Sequence, residues 1–223
     1  QVRVADGPAR DAIAAIDSPS SRREVDVERR LLSLVESDQQ GRLERFAITL
    51  DNTGLPPLAS WQPTLVRDMD LQIARDGTWH YLGSPIKRAR LVRLLSKVLR
   101  RENEEFFLVS PQEKLRIQVD DAPFVAVEME HLGEADDQRL VFRTNVNDVV
   151  VAGVDHAICV VEDSRTGEPA PYIGVRDGLD ALISRAVYYE LAEIARPAPA
   201  PRQHTLGVTS EGCFFALGSD CES

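Results

Sequence analysis

Apolar residues follow two different periods along this chain. In residues 22–37, RREVDVERRLLSLVES, they recur with the spacing of one helix face, which predicts an amphipathic helix. From Met69 onward, short runs alternate between apolar and polar residues, which predicts β-strands. Asp76 and Gly77 separate two of these runs and predict a type I′ hairpin. The pattern therefore predicts a change from helical to strand-rich structure.

Two longer stretches keep the helical period inside the strand-rich part. The first is SPIKRARLVRLLSKVLRR, where Ser84 suits the N-cap and Pro85 suits the first helical position. It predicts a basic helix over residues 86–101. The second is GLDALISRAVYYELAEIA, which predicts a helix that starts at Asp177-Gly178 and ends before RPAPAP.

The order of these predicted elements repeats. A strand–strand–helix–strand–strand unit occurs at about residues 69–119 and again at about 156–217. At an offset of 91 residues (172 minus 81), Tyr81-Leu82-Gly83 aligns with Tyr172-Ile173-Gly174. The sequence therefore predicts an α+β fold made of two duplicated units, with a helical N-terminal extension.

The same repeat predicts how the chain divides into domains. Residues 1–41 are expected to form an N-terminal extension, partly disordered and with one amphipathic helix. Residues 42–122 are expected to form the first α+β domain and residues 123–218 the second. Residues 219–223 are expected to be a tail.

Composition limits the class of protein. The chain has 223 residues, 43% hydrophobic and 28% charged, as in a soluble globular protein. A net charge of −10 opposes tight nonspecific binding to a long nucleic acid, and no apolar run is long enough to span a membrane. Three cysteines without a CxxC pair predict reduced thiols, a cytoplasmic location and no zinc. We expect no cofactor.

Positive charge is concentrated in one place. Seven cations and no acid lie between Lys87 and Arg101. Several are like-charged neighbours at i+3 or i+4, and each such pair costs roughly 0.2–0.5 kcal/mol. Salt, acids elsewhere in the chain or an anionic partner would each offset this repulsion. The cluster is therefore either a solvated or internally paired helix face, or a docking surface for an acidic protein.

The sequence shows no catalytic constellation. Its histidines, His80, His131, His156 and His204, have neither HxxxH nor HExxH spacing, and there is no Walker loop or GxGxxG motif. Catalytic partners need only meet in space, so an unrecognised hydrolase stays open as an alternative. The main prediction is a protein without enzyme activity.

The segment RLVFRTNVNDVV carries the strongest candidate for ligand binding. Alternation places Arg143, Asn145 and Asn147 on one strand face, where a guanidinium fork and two amides suit a phosphate or a base edge. Arg176 and two further cations would join them if the two units face each other. The other interpretation is the polar face of a half-solvated strand. The predicted ligand-binding residues are Arg143, Asn145, Asn147, Arg176, Lys114 and Arg185.

Two motifs, DGTWHYLGSPI and FRTNVNDVV, carry a resemblance to a known family. Together with LPPLASWQP, DDAPFVAVEM and PYIGVRDGLDALISRAVYY, they resemble an uncharacterised bacterial family, DUF family 1285, over roughly residues 42–218. The resemblance implies two related α+β domains, the second superficially similar to pleckstrin-homology-like folds. It also implies a groove between the domains for a nucleotide-like ligand and a role in signal transduction. It transfers no catalytic residue.

These observations lead to one main hypothesis and two alternatives. The main hypothesis is a non-enzymatic regulatory protein that binds a small nucleotide-like anion between its two domains. The first alternative is a protein–protein interaction module that docks an acidic partner on the basic helix at residues 86–101. The second is an unrecognised hydrolase. We expect neither a membrane nor a long nucleic acid as a partner.

Overall fold

The first half of the structure is a six-stranded sheet. The structure, a computed structural model, describes residues 60–133, 137–163, 166–198 and 205–218. The elements of the first half are β1 (Leu65–Ile73), β2 (Trp79–Tyr81), β3 (Ser84–Pro85), α1 (Ala89–Ser96), β4 (Leu99–Glu102), β5 (Glu105–Val109) and β6 (Glu113–Val119).

The second half contains another six-stranded sheet, followed by a helix and a smaller sheet. The strands of the six-stranded sheet are β7 (Phe124–Leu132), β8 (Arg139–Thr144), β9 (Val149–Val151), β10 (Ile158–Glu162), β11 (Pro169–Arg176) and β12 (Leu179–Ile183). After it come α2 (Arg185–Ile194) and the three-stranded sheet of β13 (Arg196–Pro197), β14 (Leu206–Ser210) and β15 (Cys213–Ala216).

The two six-stranded sheets share one strand order. The first is ordered β3-β2-β1-β6-β5-β4, and the second, read from its far edge, is β9-β8-β7-β12-β11-β10. Each consists of two antiparallel three-stranded meanders, joined by parallel pairing of the first and sixth strands, β1 with β6 and β7 with β12. The structure therefore repeats, with units of residues 65–119 and 124–183.

This repeat differs in register from the predicted one. Tyr81 ends β2, whereas Tyr172 lies within β11, so the two occupy different places in the shared order. Gly83 lies in a tight turn with φ of 71°, whereas Gly174 lies inside a strand. The 91-residue alignment of Tyr81-Leu82-Gly83 with Tyr172-Ile173-Gly174 is therefore wrong, because it compared positions with different roles.

The basic helix is shorter than predicted at both ends. Ser84 and Pro85 do not start it, because they form β3 and pair with Tyr81 and His80 of β2. The helix begins at Ala89, after the N-cap Arg88, whose side chain makes no capping hydrogen bond. From Leu99 the chain continues as β4, which pairs with β5. Residues 86–88 and 97–101 are therefore not part of the helix.

The second predicted helix also begins too early. Asp177 and Gly178, with φ of 38° and 72°, form the two-residue turn of the β11–β12 hairpin. The alternation of buried residues in LDALI then gives β12. The helix starts only after Ser184, whose Oγ accepts a hydrogen bond from Val187 N. The predicted helix was therefore partly a strand.

The fold class is mostly β, and the prediction of an α+β fold is wrong. Within the described ranges the two helices have eight and ten residues, against fifteen strands in three sheets. The expected strand–strand–helix–strand–strand units, including the pleckstrin-homology-like second one, are replaced by paired meanders. The predicted helical N-terminal extension, residues 1–41, and the tail, residues 219–223, lie outside the described residues. No helix in the described ranges is long and apolar enough to cross a membrane.

Each sheet contributes its own set of fully buried side chains. Trp79, Leu71 and Ile73 come from the first sheet, and Phe124 and Phe142 come from the second. On β8, Leu140, Phe142 and Thr144 are buried while Arg143 is exposed, and Asn145, which directly follows the strand, is exposed too. This confirms the alternation predicted for that strand, and it places the polar face of β8 away from the core.

Candidate functional site

A cleft of about 500 Å³ lies between the two halves of the structure. Its first wall comes from the β4–β5 hairpin and the end of β6, and its second from β10, β11 and β12. The linker of residues 120–123, between β6 and β7, completes the lining. The lining residues with functional side-chain chemistry are Arg101, Glu104, Asp121, Cys159, Tyr172 and Asp180.

Among these lining residues, the Asp180 carboxylate stands out because its hydrogen-bonding capacity is not used by the described residues. It lies on β12 between the buried residues Leu179 and Ala181, so its side chain leaves the opposite face of the strand. Within the described part of the chain, the half-buried carboxylate of Asp180 has no hydrogen-bond donor and no ion-pair partner. Burial raises the pKa of Asp180, and the positive charge of Arg101 partly counteracts that rise. A ligand that donates hydrogen bonds would satisfy this carboxylate.

Arg101 supplies the positive charge that acts on Asp180. Its Nε donates to the carbonyl oxygen of Asn103 at 3.0 Å, and its Nη2 lies 3.1 Å from Glu104 Oε2. Its guanidinium carbon lies 5.7 Å from the centre of the Phe106 ring. The Glu104 side chain is 89% exposed, and exposed pairs of this kind are weak. Arg101 is therefore held in place by its own hairpin, and a ligand can replace Glu104 as its ion-pair partner.

A chain of hydrogen bonds fixes the opposite side of the cleft. Tyr172 donates from its hydroxyl to Asp121 Oδ1 at 2.7 Å, and the other oxygen of Asp121 lies 3.1 Å from Arg75 Nε. Arg75 Nη1 also bonds Asp163 at the end of β10. Burial raises the pKa of Tyr172, and its bond to Asp121 raises it further. Tyr172 therefore stays neutral, and the network fixes the linker to the second sheet.

Two of the predicted ligand-binding residues have local structural roles. Arg143 is exposed and its Nε lies 2.9 Å from Glu128 Oε2, on the neighbouring strand β7. Asn147 has φ of 68°, and its N–H donates to the carbonyl oxygen of Thr144, in the turn between β8 and β9. Neither side chain lines the cleft.

Asn145 connects the two halves. Its Oδ1 accepts the backbone N–H of Val125 at 3.1 Å, and its Nδ2 donates to the carbonyl oxygen of Gly77 at 3.1 Å. Val125 belongs to β7, whereas Gly77 belongs to the β1–β2 hairpin of the first sheet. Both ends of the Asn145 amide are therefore used inside the protein.

Arg176 is also engaged with protein groups. Its guanidinium bonds Asp148, in the β8–β9 turn, and its Nη2 donates to the carbonyl oxygen of Ser96 at 2.6 Å, at the end of α1. The guanidinium carbon lies 5.0 Å from the centre of the Phe124 ring. Arg176 thus joins the first half to the turn that also contains Asn147.

The last two predicted ligand-binding residues, Lys114 and Arg185, lie outside the cleft between the sheets. Lys114, on β6, forms an ion pair with Glu102 and lies 4.7 Å from the centre of the Phe107 ring. Arg185, at the start of α2, lies 3.2 Å from Glu168 Oε2 and lines a second cleft of about 470 Å³. The six predicted residues do not converge, and none of them lines the cleft between the sheets.

Sequence reasoning missed Asp180, Asp121, Arg101 and Tyr172. Asp180 fell inside a predicted helix, although the alternation in LDALI was a visible strand signal. The Asp120-Asp121 pair suited a solvated turn, whereas Asp121 is half-buried between Arg75 and Tyr172. No local pattern shows that these groups, distant in sequence, face one cleft.

The cysteines also differ from the prediction. Cys159, on β10, is disulfide-bonded, while Cys213, on β15, is a free thiol. The prediction that every thiol is reduced is therefore wrong for Cys159. The cytoplasmic location rested on that prediction, and it stays a prediction without this support.

Family models match nearly all of the part of the chain described above. The N-terminal domain of DUF1285, a domain of unknown function, matches residues 56–122, and the DUF1285 C-terminal domain matches residues 123–217. The chain therefore belongs to the DUF1285 family, as its sequence motifs predicted. The boundary between the two matches, after Ala122, falls in the linker that lines the cleft.

Two solved structures of family members are similar to this chain. A DUF1285 family protein from Silicibacter pomeroyi DSS-3 is 45% identical, with a TM-score of 0.74, and the match covers 79% of this chain and 94% of that one. A DUF1285 family protein from Shewanella baltica OS155 is 26% identical, with a TM-score of 0.46, over 56% of this chain and 91% of that one. No protein with a curated description matches the chain.

Proposed function

We propose that this protein is a non-enzymatic small-molecule-binding protein, and that its ligand occupies the cleft between the two sheets. The observation that carries the proposal is Asp180. A half-buried carboxylate without a partner lowers stability, because its desolvation is not compensated by hydrogen bonds. Such uncompensated groups at a cleft are typical of binding sites, where a ligand supplies the missing bonds.

The charges of the cleft favour a ligand that donates hydrogen bonds. Of its charged lining residues in the described part of the chain, Glu104, Asp121 and Asp180 are acidic, and Arg101 is the one cation. A chain of phosphates would meet more negative than positive charge there. For the nucleotide-like ligand that the sequence predicted, this cleft therefore suits the base better than the phosphates.

The size and apolar lining support a small heterocycle. Ligand pockets usually measure roughly 300–1,000 Å³, which includes the volume of this cleft. Phe106 and Tyr172 supply aromatic surface on opposite walls. A ring with two adjacent N–H donors, as in a nucleobase or nucleoside, would place those donors against Asp180. The proposed ligand class is therefore a nucleobase or nucleoside.

The proposed role is regulatory. The lining comes from both sheets and their linker, so a bound ligand would contact both halves at once. In signal transduction, the role that the family resemblance implied, such binding would stabilise one arrangement of the two sheets.

Isothermal titration calorimetry with a panel of nucleobases, nucleosides and their phosphates tests the proposal. We expect binding of at least one base or nucleoside, and about 10- to 100-fold weaker binding by Asp180→Asn, because a hydrogen bond to a charged group contributes about 1.5–3 kcal/mol. Asp177→Asn is the matched control, since Asp177 is exposed in the adjacent turn. Its affinity should equal that of wild type.

Two outcomes would contradict the proposal. If no member of the panel binds, the ligand class is wrong. If Asp180→Asn binds as tightly as wild type, the site is wrong. Chromatography of each ligand after incubation with the protein tests the hydrolase alternative, because turnover would appear as new products.

A further inference from the structure

Four cations at and around α1 have no acidic partner. Within the described ranges, no carboxylate lies within ion-pair distance of Lys87, Arg90, Arg93 or Lys97. Lys87, Arg90 and Arg93 are exposed, and Lys97 is half-buried. None of the four lines the cleft between the sheets. We call this set the α1 cationic surface.

Most other cations in the described residues are paired, which makes this surface unusual. Arg100 and Arg101, the last two cations of the same sequence cluster, have Glu102 and Glu104 as partners. Arg196 is the one cation outside the region of α1 that has no ion pair in the described part of the chain. The cations with an acidic partner are Arg67, Arg75, Arg100, Arg101, Lys114, Arg116, Arg139, Arg143, Arg176 and Arg185.

The unpaired charges repel one another along the helix. Arg90 and Arg93 are three residues apart on α1, and Lys97, the C-cap that keeps a helical backbone conformation, is four residues after Arg93, so both pairs are neighbours. Each pair of like charges costs a few tenths of a kcal/mol. Acids of the described residues do not offset this cost, which leaves salt or an anionic partner. In a chain with a net charge of −10, a concentrated positive surface with no acidic partner among the described residues indicates a binding surface.

We propose that the α1 cationic surface docks an acidic segment of another protein. A membrane fits less well, because the apolar residues of α1 are half-buried or buried and are not available for insertion. A long nucleic acid fits less well, because the negative net charge of the chain opposes it. A short acidic segment contacts this one surface and avoids the rest of the negative protein.

Fluorescence anisotropy with a labelled peptide of alternating glutamate and glycine tests this proposal at low salt. The same peptide with glutamine in place of glutamate is the neutral probe. Wild type should bind the acidic peptide and not the neutral one, and added salt should weaken the binding. If the acidic peptide does not bind, or if the neutral one binds equally well, the proposal fails.

Two triple variants test whether the acidic peptide binds at the α1 cationic surface. The test variant is Arg90→Gln, Arg93→Gln and Lys97→Gln, and the matched control is Arg67→Gln, Arg139→Gln and Arg143→Gln. Both lose three positive charges. The loss of three surface charges predicts an affinity about tenfold weaker for the test variant and nearly unchanged for the control. Equal weakening of both would assign the effect to net charge and overturn the proposal.

Two further probes distinguish the partner classes. Vesicles of phosphatidylserine and phosphatidylcholine and a single-stranded RNA are titrated under the same conditions. If either binds more tightly than the acidic peptide, and loses that binding in the test variant only, the acidic protein segment is the wrong partner. Circular dichroism of all variants confirms that the substitutions leave the fold intact. The outcome does not depend on any ligand of the cleft.

Discussion

The two six-stranded sheets have the same strand order, but a half-buried acid in each sheet, Glu102 or Asp180, differs in its ion-pair partners. In the first sheet, several acids and cations pair, either within one strand or between two strands. Glu102 on β4 lies 2.6 Å from Arg100 and also bonds Lys114, and Arg116 on β6 contacts both Asp68 and Glu105. In the second sheet, Asp180 on β12 has no such partner in the described ranges.

The strand order of the two sheets and the pairing of their charged side chains have different determinants. Strand order follows from apolar alternation and from tight turns, and both sheets share these features. Charged residues on the outer faces do not determine that order, so they can differ between the sheets. The half-buried Glu102 of the first sheet is paired with Arg100 and Lys114, whereas the half-buried Asp180 of the second sheet has no partner in the described ranges. The comparison therefore points to the cleft wall formed by the second sheet.

The third sheet is joined to the second sheet by buried hydrogen bonds from a serine side chain. Ser210, on β14, is fully buried, and its Oγ accepts the N–H of Leu140 at 3.0 Å and donates to the carbonyl oxygen of Ala152 at 2.7 Å. Ser210→Ala should lower the free energy of unfolding by about 2–6 kcal/mol, because it leaves two buried backbone groups without a partner and each costs about 1–3 kcal/mol. Urea denaturation measures this change.

Ser110→Ala is the matched control from the first half. The Ser110 Oγ bonds the backbone of Gln112 and Glu113, in the β5–β6 turn, and Pro111 and Gln112 beside it are exposed. Ser110 is buried, but its partners lie in a turn with exposed residues, so we expect a smaller loss of about 1 kcal/mol. Equal losses for Ser110→Ala and Ser210→Ala would show that the third sheet adds no stability through this connection.

Gly77 tests the contact between the two halves. A Cβ at Gly77 would lie 2.4 Å from Asn145 Nδ2 and 3.0 Å from Val125 Cγ2, whereas a Cβ at Gly83 would meet no atom within 4 Å. Both glycines have positive φ, so both alanine variants carry the backbone strain of about 1–2 kcal/mol. Gly77→Ala should cost about 1 kcal/mol more, because it also breaks the hydrogen bond of Asn145.

Urea denaturation of the two glycine variants measures this difference. If Gly83→Ala destabilises as much as Gly77→Ala, the Asn145 bridge contributes nothing to stability. In that case Asn145 would be available for a ligand, as its sequence context suggested.

The sequence predicted the strands better than the helices, for a physical reason. Alternation with period two identified the buried and exposed faces of β8, and Asp76-Gly77 marked a hairpin. Asp76 has no positive φ, so this hairpin does not have the predicted type I′ turn. The Asp177-Gly178 signal was equally clear but was assigned to a helix start. Both predicted helices were too long because apolar residues of adjacent strands also fitted the helical period.

The site was less predictable than the fold. Arg143, Asn145 and Arg176 have the right chemistry for a ligand, but the protein itself uses their hydrogen bonds. Whether a polar group is satisfied depends on residues distant in the sequence, as Asn145 and Gly77 show. Asp180 is a candidate because it lacks a partner among the residues that the structure describes, and no sequence pattern contains that information.

Glu102 and Asp180 allow a direct test of the difference between the two sheets, because the pKa of Glu102 is lowered and the pKa of Asp180 is raised. The hydrogen bond from Lys114 lowers the pKa of Glu102, and Arg100 adds to this effect. Burial raises the pKa of Asp180. Ionised Glu102 therefore stabilises the fold above its ordinary pKa of 4.5, and this contribution is lost as the pH falls through the lowered value. Ionised Asp180 destabilises the fold above its raised pKa, and below 3.8, where it is protonated in both states, this cost is absent.

The amide variants should therefore have opposite effects at neutral pH. Glu102→Gln should lower the free energy of unfolding, because it removes a paired charge. Asp180→Asn should raise it slightly, because it removes a desolvated charge, even though it weakens ligand binding. Urea denaturation at neutral pH and below pH 3.8 measures both effects, and both should shrink in acid. If Asp180→Asn destabilises the protein at neutral pH, the carboxylate has a structural partner, and the contrast between the two sheets does not mark a binding site.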